Sequence, residues 1–272
     1  MDSRILSLMV LVLAVSGCTD SGGGSEPAQQ LSGKGLEVTD FRVSDKTLSP
    51  GQTVNVFLQL KNYHRNEIDI GDVSLYNLGL LESSTDSGGP CTPNEISTAK
   101  KGVAPIMECE WRVTAPDEDA VGGFDQRPTS VAVKIPYDSV IENYRPFKVK
   151  FQPLSEINRT SKKSMSFSNG ELDVNMRTET PIPLGQDKTV DFSVSKAGSG
   201  RINGNYLFKY SPSTVFSDKC PQQDEPILRD SLDISCSINV EGSSEVTRNL
   251  FLTVDYKYVK SATSSITIVN NS

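Results

Sequence analysis

The side chains that could carry chemistry are few. The 272-residue chain has one histidine, His64, in Asn62-Tyr63-His64-Arg65-Asn66. A Ser-His-Asp or Cys-His nucleophile would have to use it, but no G-x-S-x-G elbow accompanies it. Its polar setting just after an apolar stretch reads as a solvated loop. Of five cysteines, four fall into two close pairs, Cys91 with Cys109 and Cys220 with Cys236. No C-x-x-C pair exists, so a zinc site is a poor fit. Asp117, Glu118 and Asp119, with Asp125 nearby, form an acidic loop of the kind that supplies oxygen ligands to calcium. Their spacing matches no EF-hand, and a solvated charge run is the simpler reading. Asp69 and Asp72 around Gly71 are a weaker case. Two carboxylates suffice for glycoside hydrolysis, but nothing selects a pair. No glycine loop suits a phosphate: Gly22-Gly23-Gly24 lies in a polar tract, and Gly198-Ser199-Gly200 reads as a hairpin turn. No cofactor is implied.

The fifth cysteine, Cys18, has a different setting. An apolar run from Ile5 to Val15 follows a short polar start with one positive charge. At about 11 residues it suits a signal-peptide core and is too short to span a bilayer. It ends in Val15-Ser16-Gly17-Cys18, small residues before a thiol, which resembles the lipobox of bacterial and archaeal lipoproteins. The resemblance implies cleavage after residue 17 and a lipid on Cys18. Residues 18–34 are rich in Gly, Ser and Gln and form a flexible tether reaching about 22 Å. In an exported chain the remaining four cysteines are expected to oxidise. Three connectivities are possible; the local one, Cys91–Cys109 and Cys220–Cys236, is favoured by an internal repeat of the chain.

The elements that position these residues read as strands. Val54, Val56, Leu58 and Leu60 alternate with polar residues. So do Met107, Cys109, Trp111 and Val113; Val131, Val133 and Ile135; Val190, Phe192 and Val194; Leu232, Ile234, Cys236, Ile238 and Val240; and Leu250, Leu252, Val254, Tyr256 and Tyr258. Period-2 patterning with Gly, Pro, Asn and Asp between the runs predicts an all-β chain of sandwich type, with Trp111 in the core. No amphipathic helix stands out; Ser139 to Tyr144 allows one turn. The halves align: Gly35-Leu36-Glu37-Val38 with Glu171-Leu172-Asp173-Val174, Gly51-Gln52-Thr53-Val54 with Gly185-Gln186 and Thr189-Val190, Cys91 with Cys220, Cys109 with Cys236, and a terminal Tyr near 137 and near 256. The expected organisation is a signal peptide over 1–17, a tether over 18–34, a first immunoglobulin-like sandwich over 35–151, a polar linker over 152–168 and a second sandwich over 169–272. The linker holds the sequon Asn158-Arg159-Thr160, and Asn270-Asn271-Ser272 closes the chain; Asn158 and Asn270 are weak glycosylation candidates.

The segment Leu48-Ser49-Pro50-Gly51-Gln52-Thr53-Val54, followed by Val56 to Leu60 and Lys61-Asn62, resembles the start of CARDB-type or related immunoglobulin-like modules of prokaryotic surface proteins, archaeal ones foremost. The second half departs from it, with Leu184-Gly185 in place of Pro-Gly. Such modules share no catalytic residues. The resemblance implies a non-enzymatic, lipid-anchored protein of the cell surface that acts in structure, adhesion or envelope assembly, with an envelope protein as partner. An extracellular module binding glycan, peptide or calcium is the alternative, and an envelope hydrolase a more distant one. A net charge of −7 and a pI near 4.9 exclude nucleic acid as a partner.

Overall fold

The computed structural model describes residues 35–65, 68–83, 91–99, 103–121, 125–217, 220, 225–226 and 231–270. The leader, Cys18 and the tether lie outside these residues.

The first sheet follows from the first alternating runs. Its long strands are β1 (Leu36–Val43), β2 (Thr53–Asn62) and, after a short strand β3 (Ser74–Asn77) that joins the facing sheet, β4 (Ile106–Thr114). They pair antiparallel in the order β1-β2-β4. Every even residue of β2 from Val54 to Asn62 is buried, and so are Met107, Cys109, Trp111 and Val113 of β4. Two strands come next in the chain, β5 (Gln126–Glu142) and β6 (Phe147–Gln152). They precede β7 (Ser161–Ser168), β8 (Leu172–Thr180) and β9 (Lys188–Lys196). After β10 (Asn205–Ser211) comes β11 (Ser231–Ile238). A second antiparallel sheet has the order β7-β8-β9-β11, and β10 belongs to the sheet opposite.

The last strand, β12 (Val246–Val269), is 24 residues long and joins everything. Over Val246–Leu250 it pairs with β6, and over Phe251–Asp255 with β10. From Thr253 to Val269 it pairs residue for residue with β5, and Thr267–Ile268 accept Thr47–Leu48 as a parallel neighbour. Strands β5 and β6 therefore act as one interrupted neighbour to β12. Asn143 patches the interruption: its Nδ2 donates to Leu250 O (3.1 Å) and its Oδ1 accepts from Leu252 N–H (2.6 Å). An unpaired ladder group there would cost about 1–3 kcal/mol, which explains why a polar residue is buried at that point.

The chain is thus all-β, of immunoglobulin-like sandwich type, and the repeat is visible: β1-β2-β4 and β8-β9-β11 share order and antiparallel sense. The separation into two bodies is not. The described residues form one compact unit with one hydrophobic core. The segment read as a linker over 152–168 contains β7, which pairs with β8 through all eight of its residues. The C-terminal half of β12, assigned from sequence to the second sandwich, lies beside β5 in the first. Ser139 to Glu142 continue β5 as strand instead of forming a helical turn. Gly198-Ser199-Gly200 is not a hairpin either. It carries the chain from β9 in one sheet to Arg201–Ile202, which pairs with β12 in the other. Glycine is needed there because a Cβ on Gly200 would stand 2.3 Å from the Tyr258 ring.

Candidate functional site

The most developed polar site is a sealed cluster around Glu171, whose side chain is 0% exposed. Local structure explains how an acid comes to point inward. In the turn Ser168-Asn169-Gly170-Glu171, Asn169 Oδ1 accepts the N–H groups of Glu171 (3.2 Å) and Leu172 (3.0 Å), and Gly170 takes a positive φ. The chain then enters β8 with Leu172 fully buried and Glu171 beside it. On the opposite side, Asn62 closes β2 with an Asx turn. Its Oδ1 accepts His64 N–H (2.8 Å) and its Nδ2 donates to Ser97 O (2.9 Å). That turn swings His64 into the interior, where it is 4% exposed. His64 Nε2–H donates to Glu171 Oε1 at 2.9 Å.

Three more donors converge on the carboxylate. Leu36 N–H reaches Oε1 at 3.1 Å, Tyr137 Oη–H donates to the same oxygen, and Tyr256 Oη–H donates to Oε2 at 2.8 Å. Tyr256 also accepts from Asn169 Nδ2 at 2.6 Å. Gly35 must be glycine at this point, since a Cβ would fall 2.4 Å from Glu171 Oε1 at its positive φ. The Lys260 ammonium donates to Leu36 O, so both backbone groups of Leu36 are held.

The electrostatics follow from burial and these partners. Burial alone would raise the Glu171 pKa, but the hydrogen bond and charge of His64, with the Tyr137 hydroxyl and Leu36 N–H, hold it below the usual carboxylate value. Burial first, and then the charge of Glu171, push Tyr137 and Tyr256 well up, so both remain protonated donors. Burial lowers the Lys260 pKa, opposed by Glu171 and Glu37. A carboxylate, an imidazole and two phenols could serve acid–base chemistry elsewhere. Here all are buried, so the cluster is a joint. It ties the first strand of the body and the end of β2 to the turn before β8 and to the paired strands β5 and β12.

The sequence places His64 in a solvated loop, and the structure corrects this. The Asx turn at Asn62 begins two residues before it, but its buried partner is 107 residues away. Glu171 carries no local mark of its role. The sequence signals that point to it are an ionisable residue where the first repeat has Gly35, and terminal tyrosines in both copies, Tyr137 and Tyr256, which both donate to it.

The other predicted residues are dispersed. Cys91 and Cys109 form a disulfide across directly opposed positions of a short bridge onto β4. Cys220 and Cys236 are not bonded; both are buried thiols. Their side chains lie within hydrogen-bond reach of each other, although Cys236 does not repeat Cys109. With Leu36 and Leu172 equated, β2 and β9 register Cys109 opposite Leu58 but Cys236 opposite Val190. Cys236 therefore takes the place of Trp111, one inward step along the strand. Cys220 sits in a turn closed by Ser217 O (3.0 Å). Burial first raises both thiol pKa values. We expect a maleimide reagent to label both only after unfolding, while reducing Cys91–Cys109 should cost about 3 kcal/mol of unfolding free energy for a loop of this size.

Asp117, Glu118, Asp119 and Asp125 are exposed, with Glu118 and Asp119 in a four-residue helix, Glu118–Val121. Among the described residues no group of three His, Cys, Asp or Glu side chains able to hold a metal converges. Asn158 is exposed before β7, whereas the second sequon, at Asn270, runs into residues outside those described. Trp111 is in the core, as expected. A shallow groove of about 600 Å³ crosses the outer face of β7, β8 and β9, lined by Ser166, Ser168, Asp173, Asn175, Arg177 and Ser193 among others.

No family model and no curated protein matches the chain. Among solved structures, a collagen-hug adhesin of Enterococcus faecalis, the MSCRAMM ACE, is similar over 86% of this chain and 95% of its own, at 8% identity and a TM-score of 0.21. The collagen adhesin CNA from S. aureus is similar over 90% and 96%, at 11% identity and a TM-score of 0.18. Among the described residues no helix is long and apolar enough to cross a membrane.

Proposed function

We propose that the chain is a non-enzymatic surface protein, exported, held at the membrane by lipid on Cys18, and presenting a stiff β-body for structural, adhesive or envelope-assembly contacts with an envelope protein. The observation that carries this reading is the single strand β12. It belongs to both sandwiches and is paired along nearly its whole length. Bending between the halves would break its ladder and tear the Glu171 cluster. Such a body suits holding and spacing better than closing on a substrate. The address rests on Val15-Ser16-Gly17-Cys18 and the polar tract after it.

The test is cell fractionation with surface protease treatment. Wild-type protein should sit in the membrane fraction and be shaved from intact cells. Cys18→Ser should move most of it to the soluble or unprocessed pool, a change of tenfold or more in the membrane share. An unchanged membrane share would refute anchoring, and protection from protease would refute surface exposure. Crosslinking on intact cells should then recover one dominant envelope protein. A ligand-binding role is the second reading. The groove over β7–β9 favours it, because hydroxyl, amide and guanidinium groups meet there on one face.

A further inference from the structure

We propose that the free edge of β7 is a dimerisation edge, where a second copy of this chain adds its own β7 antiparallel across a two-fold axis at Met165. Edge strands expose unpaired N–H and C=O groups, and proteins normally blunt them. The corresponding edge of the first sandwich is blunted. Pairing of β1 with β2 shifts register between Val38 and Asp40, and β1 carries Glu37, Asp40 and Arg42. The far edge of β11 is met by Phe216, bridged to Ile238, and by Ser217 N–H on Ser237 O. Strand β7 has charge at one end only, Lys162 and Lys163, and Lys163 is drawn inward onto Lys148 O and the Phe147 ring. Its eight residues pair with β8 without a bulge, it has no proline, and from Ser164 to Ser168 it has no charge. Among the described residues no strand pairs with its other side.

The direction of its backbone groups can be read from the hairpin. Asn169 N–H donates to Leu172 O, so the odd residues of β7 face β8 and the even ones, Lys162, Ser164, Ser166 and Ser168, point their backbone groups outward. An occupant must be an extended strand, and β7 is self-complementary in one register. With Met165 on the axis, Lys162 lies opposite Ser168 of the second copy and Ser164 opposite its Ser166. All four outward residues fall in hydrogen-bonded pairs, giving about eight backbone bonds. On the inner face the half-buried Met165 meets Met165, and the stem of Lys163 meets Phe167. Neither lysine faces a lysine. Moving the axis to Lys163 would set the two Lys163 side chains opposite each other, which is repulsive. Lys162 also extends toward Asp173 of the second copy, the cross-strand neighbour of Ser168. This charge and packing match selects a second copy over an unrelated strand.

The register makes a sharp test in the full-length protein, in membranes or detergent. In an antiparallel pair, non-hydrogen-bonded partners approach to about 4.5 Å between Cα atoms, within disulfide range. Met165→Cys should therefore give a covalent dimer on mild oxidation, at least tenfold more than Phe167→Cys, whose thiols would stand roughly four residues apart along the strands. Wild type reports the background from Cys220 and Cys236. Adding Ser164→Pro, which removes an outward N–H and spares the ladder to β8, should abolish the adduct while the thermal unfolding curve stays that of Met165→Cys. If that proline variant misfolds, the comparison of the two cysteine variants still decides. Equal dimer yield from both, or a Met165→Cys adduct with another protein at a mass other than twice the chain, would overturn the proposal.

Discussion

Glu171→Ala will lower the unfolding free energy of the purified protein by about 3–5 kcal/mol, because it leaves several buried donors without an acceptor, each at about 1–3 kcal/mol. The truncation strands His64 Nε2–H, Tyr137 Oη–H, Leu36 N–H and one bond of Tyr256, all in a region closed to water. In a body of this size each kcal/mol corresponds to about 2–4 °C, so the midpoint should fall by at least about 6 °C. Urea unfolding read by tryptophan fluorescence would measure it, since Trp111 is the only tryptophan and is buried in the first sandwich. Glu171→Gln keeps the volume but sets an amide NH₂ against donors, and should recover only part of the loss. A change within 0.5 kcal/mol in Glu171→Ala would mean that the cluster is not what holds the halves together.

The same residue sets a pH dependence. Its folded pKa lies below the value it has in the unfolded chain, near 4.3. The unfolded state therefore binds the proton first as the solution is acidified. Stability from Glu171 is complete above that value and drains away as pH falls toward the folded pKa. Wild type should lose stability steeply below about pH 4.5, and Glu171→Gln should flatten that slope. Above it, the two curves should run parallel as far as Glu171 is concerned, because the carboxylate is already ionised.

The sandwich class was legible because burial follows period 2. Val54, Val56, Leu58 and Leu60, or Leu250, Leu252, Val254, Tyr256 and Tyr258, state their inward face without any partner in view. The Cys91–Cys109 bond was legible for a similar reason: its ends are close in sequence and oppose each other across one short bridge. What stayed hidden involves partners distant in the chain. The contact between His64 and Glu171 depends on two side-chain-capped turns and a fold that superposes them. No local pattern distinguishes an inward acid from a solvated one. The second cysteine pair comes together as expected, but as thiols and in another register, because a sequence repeat does not fix β-register. A shift of two residues keeps every side chain on its own face yet moves Cys236 to the place of Trp111. The division into two bodies failed at Lys260-Ser261-Ala262-Thr263-Ser264, where the apolar alternation fades. Small residues suffice there because Ala262 and Ser264 oppose Val133 and Val131 of β5 directly. The strand continues by backbone pairing through a stretch where side chains give no sign of it.

That continuation carries the largest expected effect of any change to the molecule. A chain ending at Val259 would retain the part of β12 that pairs with β6 and β10, and would lose the part that completes the first sandwich. Removing residues 260–272 unpairs β5 from Gln126 to Ile135, releases Thr47–Leu48, and withdraws the buried Ser264, Ile266 and Ile268. Val131, Val133 and Ile135 would face an unfilled edge. Each large buried side chain removed costs about 2–5 kcal/mol, and about ten ladder pairs go with them. The sum reaches the range of about 5–15 kcal/mol by which folded proteins usually stand above unfolding, so the first half should not fold at all. For the same reason residues 35–151 expressed alone should be unfolded, whereas independent tandem domains would require them to fold. Adding the missing strand in trans, as a peptide spanning residues 253–270, should restore protection of β5 amides in hydrogen exchange. Cooperative unfolding of 35–151 without that peptide would show instead that β12 is an accessory to the first sandwich and that the stiffness inferred for the body has another source.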